Sequence, residues 1–208
     1  NREMALDAAE ELSKKYNWVP GEYRTAVSFN GDRNLQTFVE LEGGGLDTFK
    51  MLYQDGLYYP YLWKVRHFQE QNPNEMEVWF TPSGKPYSFR QKLGEDEPGA
   101  ALSRDSAFAI AMAGLKDEWS INLDEYELVE ESEKTQPGGR VDHSFTYQRS
   151  GFSIGENGFL RFNLKVQGDV LGEYNHYAQV PEAFKRRFSE MRSANDTIAF
   201  SATMAIAV

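Results

Sequence analysis

Histidine and serine side chains can act in catalysis, histidine as a general base or metal ligand and serine as a nucleophile. The three histidines, His67, His143 and His176, lie outside any H-E-x-x-H or H-x-x-x-H pattern. Each sits in an alternating apolar pattern, which predicts half-buried sheet histidines rather than metal ligands. Ser153 lies in a G-x-S-x-G pattern at 151–155, but a turn and a strand follow it where a nucleophile would require a helix. We therefore predict no catalytic residue, no metal ligand and no cofactor.

A cluster of aromatic residues is the feature of the sequence that best suits binding. Tyrosine presents a large flat surface with a polar tip at low entropic cost, and therefore suits recognition of peptides or glycans. The alternative is a strand face packed against a helix. The candidate binding residues are Tyr53, Tyr58, Tyr59, Tyr61 and Trp63.

The end of the sequence indicates contact with a membrane. From Pro181 onward, apolar residues are spaced for one helix face and basic residues form a stripe that suits phospholipid headgroups. Residues 197–208 carry no charge, and because a bilayer requires about 20 apolar residues, we expect the first half of a transmembrane helix. A terminal core helix or strand, after an ordinary solvated helix, is the alternative. The candidate membrane-surface residues are Lys185, Arg186, Arg187 and Arg192.

The composition excludes several classes of function. The chain has 208 residues, with 22 Lys and Arg against 32 Asp and Glu, and a net charge of -10. Nucleic-acid binding requires a basic face, so we expect no nucleic-acid partner. The absence of cysteine excludes disulfides, iron–sulfur clusters and a cysteine nucleophile.

Two parts of the chain show the same order of predicted elements: a helix, two strands and a hairpin. Asn1 and Ser103 are suitable N-caps for the two helices, and alternating residues around Gly or Pro turns predict the hairpins. We predict an α+β fold in which each helix covers a curled antiparallel sheet. The predicted parts are a first unit at 1–93 with a helical insertion at about 33–53, a linker at 94–102, a second unit at 103–180, and a juxtamembrane helix leading into a membrane span at 181–208.

Four segments between residues 103 and 200 carry a resemblance to a known family, namely SRDSAFAIA, LDEYELVEESEKTQPGGRVDHSFTYQR, LRFNLKVQGDVLGEYNHYAQVPEAF and MRSANDTIAF. They resemble the extramembrane amino-terminal region of bacterial CPBP-family proteins, relatives of the CAAX prenyl proteases. The resemblance implies that membrane helices with an intramembrane metallo-endopeptidase site follow such a region. The family's glutamate pair with a downstream arginine is not matched at 10–11 or 130–131, so none of its catalytic residues transfers to this chain.

The two predicted units also resemble PepSY or cystatin-like sheets, which in other proteins bind or inhibit proteases. Together these resemblances imply a non-catalytic, extracytoplasmic (periplasmic) sensor or substrate-presenting domain of a CPBP-type protease in a bacterial cell membrane. Its expected partners are the lipid bilayer, through the C-terminal helix, and a protein or peptide. The alternatives are an assembly subunit anchored by a single span to a larger membrane complex, and a free-standing hydrolase.

Overall fold

The protein combines helices and strands throughout the part of the chain that the structure describes. The computed structural model describes residues 1–18 and 22–193. The first half contains α1 (Arg2–Tyr16), β1 (Arg24–Gly31), α2 (Arg33–Leu41), α3 (Gly45–Gln54), β2 (Tyr61–Phe68), β3 (Glu75–Phe80) and β4 (Pro86–Lys92). The second half contains α4 (Arg104–Gly114), two single 3-10 turns, β5 (Tyr126–Thr135), β6 (Val141–Arg149), β7 (Phe159–Gln167) and β8 (Val170–Gln179). A further helix, α5, covers residues 182–193. The predicted α+β class is confirmed.

The eight strands form one antiparallel sheet in the order β1-β2-β3-β4-β8-β7-β6-β5. Within each half the strands pair in chain order, and β4 joins β8 at a central seam. The register at this seam places Phe89 opposite Tyr174 and Arg90 opposite Glu173. The halves therefore share an order of elements, but their strands belong to a single continuous sheet rather than to two separate ones.

The helix ends form where the sequence predicts them. The Asn1 side chain accepts a hydrogen bond from the Met4 backbone N–H at 2.9 Å, and the Ser103 side chain accepts one from Ser106. Such caps satisfy donors that have no partner within the helix. Helices α2 and α3 are separated at Gly44, whose φ of 96° is strained for any residue with a side chain. Gly44 therefore forms the break between the two helices of the insertion.

Helices α1 and α4 pack on the same face of the sheet and share one hydrophobic core. Ala5 of α1 and Ala107 of α4 are fully buried, as are Val65, Val78 and Phe162 of the strands. Small residues on the helices allow them to approach the sheet closely, and each large apolar side chain buried there contributes about 1.5–3 kcal/mol. Because residues of both halves belong to this core, packing in one half supports the other.

A second, smaller core joins α2, α3 and α5 to the ends of β7 and β8. Phe38 of α2, Leu52 of α3 and Phe184 of α5 are buried in it, together with Leu160 of β7. The rings of Phe38 and Phe184 meet edge to face, with 5.1 Å between their centroids. This core fixes the helical insertion and α5 to the same end of the molecule.

The sheet face opposite α1 and α4 is polar and carries a row of alternating charges. Arg66, Glu77, Arg90, Glu173 and Lys165 stand in register on five neighbouring strands, from β2 to β7. Facing opposite charges stabilise strand pairs, and a register slip of one residue would turn these charges toward the core. The row crosses the seam and therefore aligns the two halves.

A buried ion pair anchors the segment that connects the two halves. The side chains of Arg140 and Asp142 are 2% and 1% exposed, and Arg140 Nε donates to Asp142 Oδ1 at 2.8 Å. The same guanidinium donates to the Glu97 carbonyl oxygen at 2.9 Å, while the Gln136 amide donates to Asp142 Oδ2 at 2.7 Å. The connecting segment is thus held against the β5–β6 hairpin by charge-assisted hydrogen bonds. The domain boundaries themselves remain a prediction.

Candidate functional site

The three histidines lie in β2, β6 and β8, where the sequence predicts strands. His67 Nδ1 is 2.9 Å from the Thr25 hydroxyl, and His176 Nε2 is 2.7 Å from the Tyr174 hydroxyl. Burial lowers the pKa of His67, and it lowers the pKa of His176 to about 3. Both imidazoles are therefore neutral at physiological pH, and each lies within hydrogen-bond distance of a neighbouring hydroxyl.

Ser153 lies in the connection between β6 and β7, as predicted from the residues that follow it. Its neighbour Ile154 forms an isolated bridge with Gly158 and is buried in the second core. β6 ends at Arg149, two residues before Gly151, but a turn and then β7 follow Ser153, so the segment lacks the helix that a nucleophile elbow requires. The G-x-S-x-G pattern is thus a loop that packs one isoleucine into the core.

The structure divides the five residues of the predicted aromatic cluster. Tyr58 is buried in the second core, where its hydroxyl donates to Asp32 Oδ2 at 3.0 Å and burial raises its pKa. The Tyr59 ring stands edge-on between Tyr53 and Tyr87, at centroid distances of 5.9 and 5.3 Å. Tyr58 and Tyr59 therefore help to hold the α2–α3 insertion on the sheet. Their binding role remains a prediction.

Tyr61 and Trp63 instead belong to an exposed aromatic surface beside β1. Phe29 of β1 is 49% exposed and contacts the ring of Trp63, at 4.8 Å between centroids. The ring of Tyr61 lies between those of Phe29 and Phe49, at 6.2 and 6.3 Å. Leu46 of α3, which is 67% exposed, extends this surface. We call these five residues the edge surface.

The edge surface contains a pocket of about 320 Å³ between α2, α3 and the start of β2. Val39, Leu46, Phe49 and Tyr61 supply its apolar lining, and Gln36 and Glu40 lie at its rim. Gly31 makes this arrangement possible, because a side chain there would meet the Tyr61 ring at 2.9 Å. The pocket is of a size that admits one large apolar side chain.

The edge surface adjoins a strand whose outer side is unpaired in the described part of the chain. β1 pairs only with β2, and its residues are exposed along nearly the whole strand. From Thr25 to Gly31 it carries no charge. Exposed strand edges of this kind are sites of pairing with another chain, and natural proteins usually protect them.

The opposite edge of the sheet, β5, has that protection. It is also exposed, but four glutamates lie along it and its pairing with β6 shifts register between Leu128 and Glu130. Charges and bulges both oppose the addition of a further strand. The glutamates are Glu127, Glu130, Glu131 and Glu133.

The four basic residues predicted for a membrane surface all lie on α5 and are exposed. Arg187 Nη2 donates to both carboxylate oxygens of Glu42, at 2.6 and 2.8 Å, and so ties α5 to the end of α2. Lys185 lies 3.5 Å from Glu182 within the helix. In the described residues no helix is long and apolar enough to span a bilayer, and the predicted span at 197–208 lies outside them.

A further cavity, of about 530 Å³, lies near the seam between the ends of α1 and α4. Trp18, Phe89 and Trp119 line it. These rings already contact one another: Trp18 stacks on Phe89 with 5.2 Å between centroids, and the tilted ring of Trp119 lies 4.8 Å from Phe89. The cavity is therefore a feature of the shared core, and its rings offer little free surface to a ligand.

The described residues contain no group of three His, Asp or Glu side chains that could hold a metal ion. No protein family, curated protein or solved structure matches the chain. The edge surface and α5 are therefore the candidate sites that rest on the chain's own geometry. Sequence reasoning identified Tyr61 and Trp63, but it missed Phe29, Leu46 and Phe49, since nothing in a single sequence shows which strand is an edge.

Proposed function

We propose that this protein is a non-catalytic domain held at the surface of a bacterial cell membrane, on its extracytoplasmic side, where it recognises protein segments for a CPBP-type protease. In this proposal its halves are two PepSY-like or cystatin-like units, and α5 is a juxtamembrane helix. Apart from the α2–α3 insertion and the two 3-10 turns, each half consists of a helix followed by four strands paired in chain order, which supports the proposed repeat.

The positions of the exposed apolar side chains are the main support for the proposed attachment to a membrane. Of the nine large apolar side chains that are exposed in the described residues, five lie on α2, α3 and α5. These three helices share the second core and so form one end of the molecule. Such clustering marks an interaction surface. The five are Leu41, Leu46, Met51, Tyr53 and Met191.

The charges of α5 support an anionic bilayer as the surface that this end contacts. Arg187 is engaged with Glu42 and positions the helix, while Arg186 and Arg192 extend its basic stripe. A basic residue near an anionic membrane surface contributes about 1 kcal/mol. Residues 197–208, which are uncharged, follow in the sequence immediately after Asp196.

Flotation with lipid vesicles tests the membrane attachment. We expect the full chain to float with vesicles of phosphatidylcholine and 30% phosphatidylglycerol. Reversing two charges with Arg186→Glu and Arg192→Glu should lower the partition coefficient onto these vesicles about tenfold or more, because at least about 2 kcal/mol of attraction is lost.

The matched control reverses Lys92 and Lys116, two exposed lysines that lie away from α5, on β4 and after α4. This pair of substitutions changes the net charge equally and should leave flotation unchanged. A full chain that remains unbound to every vesicle, or a control variant as weak as the α5 variant, would contradict the proposal.

An assembly subunit of a larger membrane complex is the second candidate. The exposed apolar side chains of α3 favour it, because they would suit a protein neighbour as well as a lipid. In that case we expect photo-crosslinks from position 46 or 51 to reach a protein in native membranes, while vesicles of lipid alone bind the chain weakly.

A further inference from the structure

We propose that the free edge of β1 binds an extended segment of a partner protein as an added strand, with one large apolar side chain of that segment in the pocket of the edge surface. The proposal deepens the proposed function by naming its partner as an unfolded or extended polypeptide, and it rests on that function only in treating the domain as a protein-recognition module. Strand addition is an established mode of peptide recognition, in which the backbone supplies affinity and a pocket supplies specificity.

The register of β1 shows which backbone groups an added strand would meet. β1 and β2 pair without a bulge from Arg24 opposite Phe68 to Gly31 opposite Tyr61, and the Asp32 N–H donates to the Pro60 carbonyl at 2.8 Å in the same register. Bonded and non-bonded pairs alternate along an antiparallel ladder. The even-numbered residues of β1 therefore bond to β2. The residues whose N–H and C=O groups point outward are Thr25, Val27, Phe29 and Gly31.

The contrast between the two edges of the sheet argues for a partner at β1. The β5 edge carries four glutamates and a register shift, whereas β1 is uncharged beyond Arg24. A chain with a net charge of -10 has acidic residues enough to protect both edges. A sheet that accepts an added strand on one side needs one open edge and one protected edge, and this sheet has both.

The pocket indicates the side chain that the partner contributes. The side chains of Val27 and Phe29 face the helix side of the sheet, as does their neighbour Val65. A strand added beside them would bring alternate side chains over the same face, toward Tyr61 and the pocket lined by Leu46. An aliphatic or aromatic residue at that position would cover apolar surface that is now exposed.

A second copy of the chain fits this edge less well. Paired with itself, β1 would present only one large apolar side chain, Phe29, which already packs against Trp63. The other side chains of the strand are polar or no larger than valine, so the pocket would stay unfilled. A different polypeptide with a large apolar residue is therefore the occupant that the surface favours.

Amide hydrogen exchange with a selected peptide tests the proposal directly. A library of random dodecapeptides is displayed and selected on the full chain, and the enriched peptide is synthesised. On binding, we expect slower exchange at the amides of Thr25, Val27 and Phe29, and little change at Ala26 and Ser28, which already bond to β2. If the exchange rates of all β1 amides change equally, or if none changes, the proposal is wrong.

Two methylated forms of the same peptide separate strand pairing from simple apolar contact. One carries N-methyl groups on its odd residues and the other on its even residues, so only one form loses the donors that face β1. We expect that form to bind at least about tenfold more weakly, as the loss of two or three hydrogen bonds implies. Equal affinities of the two forms would contradict the inference.

Substitutions test the pocket. Leu46→Asp should weaken the peptide about tenfold or more, since it places a charge where an apolar side chain must be buried. Leu128→Asp on β5 is the control, because Leu128 is similarly apolar and is 37% exposed on the other edge. Both positions are exposed, so both variants should fold, which circular dichroism checks. A control variant that is impaired as much as Leu46→Asp would also count against the site.

Hydrogen exchange of the chain without peptide is the last test. If the Thr25, Val27 and Phe29 amides already exchange slowly without peptide, the edge is occupied by the chain itself or by a second copy, and the inference is wrong. Failure here leaves vesicle flotation unaffected, while failure of flotation leaves peptide binding unaffected. The two experiments therefore separate the strand-addition site from the proposed membrane attachment.

Discussion

The pair formed by Arg140 and Asp142 shows how much one buried contact can contribute to this fold. Burial works to raise the pKa of Asp142, but hydrogen bonds from Arg140 and Gln136 and the nearby Lys165 outweigh it and hold that pKa below its ordinary value. The pair stabilises the connection between the halves because the guanidinium also binds the Glu97 carbonyl. A buried charge without its partner is costly, so each member depends on the other.

We expect Arg140→Met to lower the free energy of unfolding by about 3–5 kcal/mol at pH 7, since the Asp142 carboxylate stays buried with fewer donors. A group with a depressed pKa contributes stability above its ordinary pKa, and this contribution is lost as the pH falls through the folded value. The difference between variant and wild type should therefore shrink below about pH 4. Urea unfolding at several pH values measures it.

Glu95→Gln is the matched control for this prediction. The Glu95 side chain is 68% exposed and pairs at 3.1 Å with Lys134, so it joins the same two segments from the solvent side. An exposed pair contributes less than about 1 kcal/mol. If the control costs as much as Arg140→Met, burial is not the source of the effect.

His176 makes the fold sensitive to acid. Its pKa of about 3 lies far below the ordinary value, so in the window between about pH 6.5 and 3 only the unfolded chain binds this proton. Stability should therefore fall with decreasing pH, with a contribution of up to about 1.4 kcal/mol per pH unit from this group. Above pH 6.5 the group has no effect.

We expect His176→Phe and His176→Gln both to flatten the pH dependence of unfolding between pH 6 and 4. The two side chains pack differently beside Tyr87 and Tyr174, but neither binds a proton, so the slope and not the absolute stability is the diagnostic quantity. Variants that retain the full slope would show that protonation occurs elsewhere.

The elements of this fold could largely be predicted from the sequence, because alternation, caps and turn residues are local signals. β7 and the following β8 show this, with Leu160, Phe162 and Leu164 alternating before a turn at Gly168. The joining of β4 to β8 could not be predicted, since the two residue pairs that join them, Phe89 with Tyr174 and Arg90 with Glu173, are far apart in the sequence and leave no local pattern. The edge surface could not be predicted either, because it forms only where β1 is the outermost strand of the sheet.

The acidic residues of β5 should keep that edge free of other strands. Replacing three of its glutamates by glutamine removes the repulsion while the length and shape of the side chains stay similar. We expect the variant to self-associate, with a larger mass by light scattering after size-exclusion chromatography. The substituted residues are Glu127, Glu130 and Glu133.

A control with the same change in net charge places the three substitutions on helices. Exposed glutamates of α1 and α2 are suitable, because a helix offers no free ladder of backbone groups. This variant should elute like the wild-type chain. Equal self-association of both variants would attribute the effect to net charge and not to the edge. The control residues are Glu3, Glu11 and Glu40.

At the scale of the whole molecule, the two halves repeat the same order of elements but share one hydrophobic core. Both halves consist of a helix and four strands, which would suit two independent units. Yet α1 and α4 contribute to the same core, the charge row crosses the seam, and Arg140 of the second half holds the segment that ends the first. A shared core of this kind makes independent folding of the halves unfavourable, because each would expose the surface that the other covers.

We therefore expect the protein to unfold as one cooperative unit, although the order of its elements is repeated. Leu164→Ala in β7 removes a fully buried side chain of the second half and should lower the free energy of unfolding by about 2–5 kcal/mol. If the halves are coupled, the Val65 and Val78 amides of the first half should lose the same amount of protection in native-state hydrogen exchange. Leu128→Ala, at an exposed position of β5, should change neither value by more than about 0.5 kcal/mol. Protection of Val65 and Val78 that survives the loss of Leu164 would show instead that the two units, though they share one sheet, open separately.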